Sequence, residues 1–461
     1  MDDDKHQIPL IWNLVSPLLP PLLSAQRASW EQGTAAQAIL ELHYALLASP
    51  LQNTPHGHSD PMRNEHTRQT LQYLYGLCHD AVVRASTDCR LATRINSNDE
   101  GDGDASALDP ACIGEAALFV LEEQIEHSEG YADSAESLQW QQSLEGMLLY
   151  LLDFAPRVML CGSAHENASL LSVGAISHLK ARPELWADGV YMGPAFLAAV
   201  ALSPSSIPAF AAMDEEKKSL LGSAFDQILL YSHYLENSIS RLMGHVYAAR
   251  ATSEGPFTNG KYGHRAWGVG NGWFIGGIMR VLKILDRDLH GYGNNSFGLK
   301  SWLAEDHKSH NRVGKVWRQL ISLLDAIICS QREDGLFHNI IDDPTTFVET
   351  NLAQMAASVV YDILSWYDVD GRPIGRLVTC AQFLLDKAKL ESYRIAAENM
   401  YLSARSRRDS WGFVRGVCGS PRFDKPGTAA EGQAWAIMME VSRWKWLLSQ
   451  AEAAITPRIS S

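Results

Sequence analysis

Residues 186–202 read WADGVYMGPAFLAAVAL, an acid set between aromatic residues and followed at once by a run of small and apolar residues without a charge. The run suits a helix packed on all sides, and Asp188 stands at its start, facing the positive end of the helix dipole. Aspartate is also a common N-cap there, so this stretch alone leaves two readings open, a capping acid and a reacting one. Five other segments follow the same plan of a polar or Gly-rich turn leading into a small-residue apolar helix. They are SWEQGTAAQAILEL from Ser29, DPACIGEAALFVLEE from Asp109, GNGWFIGGIMRVLKIL from Gly270, TNLAQMAASVVYDIL from Thr350 and GTAAEGQAWAIMMEV from Gly427. With Asp188 included, successive starts lie 77 to 82 residues apart, a regularity that marks one structural unit repeated.

Between these segments run longer amphipathic stretches with apolar residues at helical spacing and charges opposite. Examples are TRQTLQYLYGLCHDAVVRA, LQWQQSLEGMLLYLLDFA, KKSLLGSAFDQILLYSHYLE, VGKVWRQLISLLDAIICSQ and LVTCAQFLLDKAKLESYRIAAENMYLSA. The charge-poor set reads as inner helices and the amphipathic set as an outer ring, which predicts an all-α (α/α)6 barrel with the inner N-termini on one rim. Two stretches compete for the sixth outer helix, the N-terminal segment and RWKWLLSQAEAAI. Residues 96–104, NSNDEGDGD, read as a flexible insertion, and the stretches around 158–174 and 286–311 as loops. No Pro/Gly-rich linker divides the chain, so residues 1–461 are expected to form a single domain.

Composition narrows the function classes. The chain is 461 residues long, 46% hydrophobic, and carries a formal charge of −14. No basic block is present to neutralise phosphates, which argues against nucleic acid or an anionic membrane as partner. The seven cysteines are scattered and lack metal-ligand spacing, so no metal or cofactor is expected. The N-terminus opens with acids and is broken by Pro17, Pro20 and Pro21, unlike a signal peptide, and no apolar run approaches the roughly 18 residues of a membrane span. The expectation is a cytoplasmic monomer or homodimer, and the sequons at Asn167 and Asn294 matter only if the chain is secreted.

First turns on one rim converge although they lie about 80 positions apart, and they define the barrel's natural pocket. That pocket gathers Trp30, Gln32, Asp109, Trp186, Asp188, Tyr191, Met192, Trp267, Asn271, Trp273 and Thr350, and the loops add His245, His264, Arg265, His338 and Asp342. Aromatic faces beside paired carboxylates suit a sugar. Asp109 followed by Pro110 also fits an N-cap and N1 pair, and Trp267 and Trp273 could serve packing alone. GVGNG follows no β-branched strand, which makes a dinucleotide-binding turn a poor fit. His245 and His338 share no ligand spacing.

These residues resemble glycoside hydrolase families 88 and 105, the unsaturated glucuronyl and rhamnogalacturonyl hydrolases. WADGVYM is similar to the family's W-x-D-x-x-Y-M segment, AWGVGNGW to W-x-R-G-N-G-W, DGLFHNIIDDPTTFVET to D-G-L-W-H … D-x-P … E-T/S, GHVYAA to the H-x-Y/W loop, and GTAAEGQAW to the last inner helix. The resemblance implies an (α/α)6 barrel acting on an oligosaccharide whose non-reducing end is a 4,5-unsaturated uronic acid. It implies that Asp188 protonates C4 and then assists water at C5, with Asp109 as the second acid. It further implies sugar contacts from Trp30, Gln32, Trp186, Tyr191, Met192, His245, His264, Trp267, Asn271, Trp273 and His338. Val269 stands where the family motif commonly has arginine and Phe337 where it has tryptophan, so either Arg265, the first candidate, or a nearby histidine, His264 or His338, is expected to hold the sugar carboxylate, or the preferred sugar differs. Two other readings stay open: a conventional inverting glycosidase using Asp109 and Asp188, and an inactive glycan-binding toroid.

Overall fold

The protein is described from a computed structural model covering residues 10–48, 61–91, 105–159, 174–204, 207–211, 214–248, 264–291, 298–419 and 422–455. Each of the six repeat segments is helical. The inner helices are Ser29–Ala48, a 3-10 turn Asp109–Ile113 continuing as Gly114–His127, Gly189–Met192 with Pro194–Ala201, Gly268–Leu289, Asn351–Leu364 and Ala430–Ile455. Each packs on the next, and the last packs on the first, which closes an (α/α)6 toroid.

Small residues let these helices approach. A Cβ on Gly33 would lie 2.5 Å from Cys112 Cβ, and one on Gly277 would lie 2.4 Å from the Val190 carbonyl oxygen. The outer helices instead show one buried stripe. In Arg312–Cys329 the buried residues are Val313, Val316, Trp317, Leu320, Leu323, Leu324 and Ile327, the i, i+3, i+4, i+7 pattern of an amphipathic helix.

The structure decides between the two candidates for the sixth outer helix. Arg443 to Ile455 continue the last inner helix, whereas the short helices Ile11–Val15 and Leu19–Ala25 pack against that helix from outside. One expected loop is corrected: the Gly270 helix continues to Leu289, and Leu299–Ser309 is a helix of its own. Its polar sequence hid it, since only Leu299, Trp302, Leu303 and Asp306 are buried. Residues 96–104 and both sequons lie outside the described residues.

Away from the N-terminal rim, the inner helices bury an ionic cluster. Glu41 lies 2.7 Å from Lys283 Nζ, 2.9 Å from Lys445 Nζ and 3.3 Å from Arg287 Nη1. Glu115 meets Arg280 at 2.7 Å and also pairs with Arg287, and Asp362 meets Lys283 at 3.1 Å. Burial alone would raise the Glu41 carboxyl, and the three cations overcome it and hold the group well below its ordinary value.

Candidate active site

Short antiparallel ribbons sit where outer helices hand over to inner ones. Glu184–Trp186 pairs with Val246–Ala248, Phe337–His338 with Val348–Glu349, and Val417–Gly419 with Arg422–Gly427. Backbone hydrogen bonds link them around the rim. Ala107 N–H donates to the His178 carbonyl (2.7 Å), His178 to Glu184 (2.7 Å), Ala187 to His245 (2.9 Å) and His245 to Arg265 (3.1 Å). Gly268 donates to Asn339 (2.8 Å) and Thr350 to Gly416 (3.0 Å). This belt fixes the side chains that reach the mouth of the barrel.

Asp188 precedes the first turn of its helix in helical backbone geometry and makes no capping hydrogen bond. Its Oδ2 is buried without a hydrogen-bond partner among the described residues, and His245 Nδ1 lies 3.5 Å away. At Asp109 the capping is done by Ser106, whose Oγ accepts the N–H groups of Leu108 (3.2 Å) and Asp109 (3.0 Å). Asp109 Oδ1 lies 3.5 Å from His178 Nε2. Capping therefore does not account for Asp188, and Ser106 supplies the cap at Asp109.

The electrostatics follow from burial and these neighbours. Burial pushes the Asp188 carboxyl up to about 6, with His178 opposing and the charge of Asp109 adding to the rise. Burial and the nearby His178 push His245 down to about 3, so at neutral pH its contact with Asp188 is not an ion pair. His178 stacks on Trp186 at 4.7 Å between ring centroids, and His245 meets the edges of Trp186 at 5.4 Å and Trp267 at 4.5 Å. The outcome is a proton-holding acid in an aromatic cup.

Of the residues singled out in the sequence, Asp109, Trp186, Asp188, His245 and Trp267 come together here. Half-buried Trp30 joins the same wall through its hydrogen bond with Glu431, whose carboxyl is also within reach of the Asp188 charge. Other expected contacts are corrected. Gln32 points outward, donating to Asp80 Oδ2 (2.6 Å) and accepting from Arg84 (2.8 Å). Asn271 is spent on the frame, since its Nδ2 donates to the carbonyls of Met243 and Trp267 and its Oδ1 accepts from Met243 N–H. Tyr191 and Trp273 form an aromatic floor with Trp435, with Arg280 over the Tyr191 ring at 5.0 Å, and Met192 is core.

His338 is held by Thr346 O at 3.1 Å and Arg332 at 2.9 Å. His264 and Arg265 are exposed, and the Arg265 guanidinium already pairs with Asp343. The Arg265→Ala variant should therefore leave KM for an acidic sugar within about twofold of wild type, as expected for an exposed pair. A tenfold rise in KM would put that arginine back in the site. Sequence reading missed His178, which sits in a bend just past the two-residue strand Ala175–Ile176, and also Glu31, Glu349 and Glu431.

The family model described as Glycosyl Hydrolase Family 88 matches residues 149–364. Over that segment, just under half of the chain, the sequence is similar to glycosyl hydrolase family 88. The matched family 88 segment takes in Trp186, Asp188, His245, Trp267 and Glu349, and it leaves Asp109 and Glu431 outside.

Solved structures agree on the barrel. A possible member of family 105 from Salmonella enterica aligns at TM-score 0.60 and 13% identity over 96% of each chain. A second possible family 105 member, from Klebsiella pneumoniae, aligns at TM-score 0.58 and 13% identity, covering 96% of this chain and 95% of that one. A family 88 glycosyl hydrolase from Bacteroides vulgatus aligns at TM-score 0.57 and 10% identity, covering 95% of this chain and 98% of that one. No curated protein matches the sequence. The family 88 match supports a glycoside hydrolase acting on a carbohydrate. Among the described residues no helix is long and apolar enough to cross a membrane, and no three His, Cys, Asp or Glu side chains gather as metal ligands.

Proposed function

We propose that this glycoside hydrolase removes a 4,5-unsaturated uronic acid from the non-reducing end of oligosaccharides left by polysaccharide lyases. The observation that carries the reading is Asp188, an acid whose oxygen Oδ2 is buried without a partner and whose proton is retained up to about pH 6. Protonating the C4 carbon of an enol ether requires an undissociated acid held out of water, and burial beside a second carboxylate supplies it.

Asp188 gives its proton to C4, and positive charge develops at C5 and the ring oxygen. The resulting Asp188 carboxylate takes a proton from a water that adds to C5, which restores the acid. The hydrated hemiketal then opens and releases the shortened sugar. Neutral His245, 3.5 Å from Asp188, helps orient this carboxyl, and the faces of Trp186 and Trp267 provide apolar walls for the sugar ring.

Lyase-generated oligosaccharides from several polyuronides should lose their enuronate ultraviolet absorbance in the presence of the enzyme. Consumption of saturated aryl glycosides alone would favour the inverting glycosidase, and consumption of neither would favour a toroid that only binds glycans. The kcat/KM profile should fall as pH rises through about 6, because Asp188 then loses the proton it must donate. His178→Gln removes the neighbour that opposes the rise at Asp188, so the acid stays protonated longer and this basic limb should move to higher pH. A limb that stays in place, or moves down, would separate His178 from the acid.

A further inference from the structure

The first and last inner helices meet at the seam where the ring closes, and each brings a buried glutamate from its first turn, Glu31 at 4% and Glu431 at 2% exposure. Their situations differ. Glu31 Oε2 accepts the backbone N–H groups of Arg27 at 2.5 Å and Ala28 at 3.1 Å, bonds that favour an anion. Glu431 Oε2 is buried with no hydrogen-bond partner among the described residues. The side chains acting on its carboxyl are Glu31, Asp188 and the indole of Trp30. Cys418, from the neighbouring rim ribbon, lies within reach of Glu431, Glu349 and Asp188. Gly419 of that ribbon packs against the start of the last inner helix, where an added Cβ would stand 2.2 Å from Ala429 Cβ and 3.3 Å from Glu431 Oε1.

Burial first, and then the charge of Glu31, push Glu431 up to about 8. At neutral pH it is thus a neutral carboxylic acid, a donor with one oxygen unused in the wall that also holds Asp188. An unsatisfied buried polar atom of this kind calls for a ligand atom.

We propose that Glu431 is a substrate-positioning acid whose protonated carboxyl donates a hydrogen bond to an uncharged hydroxyl of the sugar held beside Asp188. The inference rests on the glycoside hydrolase reading of this cup. Glu31 next to it, whose Oε2 accepts two backbone N–H groups and so favours the anion, disfavours a negatively charged substituent at the same corner, which is why the accepting group is a hydroxyl. Once Glu431 ionises it no longer donates and adds a second negative charge beside Glu31, so sugar binding weakens as pH rises through about 8.

KM of wild type, Glu431→Gln and Glu431→Ala, measured between pH ~6 and ~9.5, tests this. Wild type should show KM rising about tenfold above pH ~8, the worth of one net hydrogen bond. The Gln variant, a donor that cannot ionise, should stay flat, and the Ala variant should have a raised KM throughout with kcat little changed. A Gln variant that keeps the alkaline rise, or an Ala variant with wild-type KM, overturns the proposal.

A second readout needs no sugar. Because Trp30 bonds Glu431, tryptophan emission of the wild type should titrate near pH 8, and the Gln variant should lose that step. A missing step in the wild type overturns the protonated donor even if every oligosaccharide tried is inert. A present step with inert oligosaccharides faults the uronide reading instead.

Discussion

Asp188→Asn should lower kcat about 10²- to 10⁴-fold, the usual worth of a general acid–base group, while the protein stays folded. The amide fills the same space but has no proton acidic enough to pass to carbon. Stability gives an independent check, and the sign can be worked out. A carboxyl whose folded-state pKa is raised to about 6 binds more protons when folded than when unfolded. Its contribution is therefore fully present at low pH and is lost as pH climbs from about 4 to 6. The Asn variant lacks that loss, so its Tm relative to wild type should be higher at pH ~8 than at pH ~5. An active Asn variant would remove Asp188 from the chemistry.

Glu41→Gln should cost about 3 to 5 kcal/mol, the range for breaking one side of a buried ion pair. Glu41 faces Lys283, Lys445 and Arg287 inside the barrel, and it is 2% exposed. Lys283 keeps Asp362 and Arg287 keeps Glu115, whereas half-buried Lys445 is left facing an amide. Equilibrium urea unfolding should show the midpoint falling with little change in slope. KM of the folded variant should match wild type, since this cluster lies away from the rim. An unchanged midpoint would mean that the cluster is solvated and contributes nothing.

Much of the barrel was legible because one physical demand recurs. Inner helices packed on all sides need glycine and alanine at each close approach, and six such runs at even spacing cannot serve another purpose together. Asp188, His245, Trp186 and Trp267 were legible because each lies at the handover from a rim ribbon to an inner helix. Gln32 and Asn271 were misassigned for a reason the linear sequence does not carry. Residues at a helix start turn by about 100° per position, so Gln32 swings out to Asp80 and Arg84, and Asn271 turns back to the 243 loop. His178 escaped because its place depends on a backbone bond from Ala107, far earlier in the chain. The pairing of Arg265 was not legible because its partner, Asp343, lies 78 residues away.

The central claim is that the enzyme protonates an enol ether, and a matched pair of disaccharides tests it most directly. One carries the 4,5-unsaturated uronide at its non-reducing end, and the other carries the same residue with that double bond reduced. The account predicts that only the unsaturated member releases its second sugar, with enuronate absorbance lost in step with release, and that Asp188→Asn removes both signals. Comparable release from the reduced member would contradict it, because cleavage would then proceed without the alkene that Asp188 is held protonated to attack.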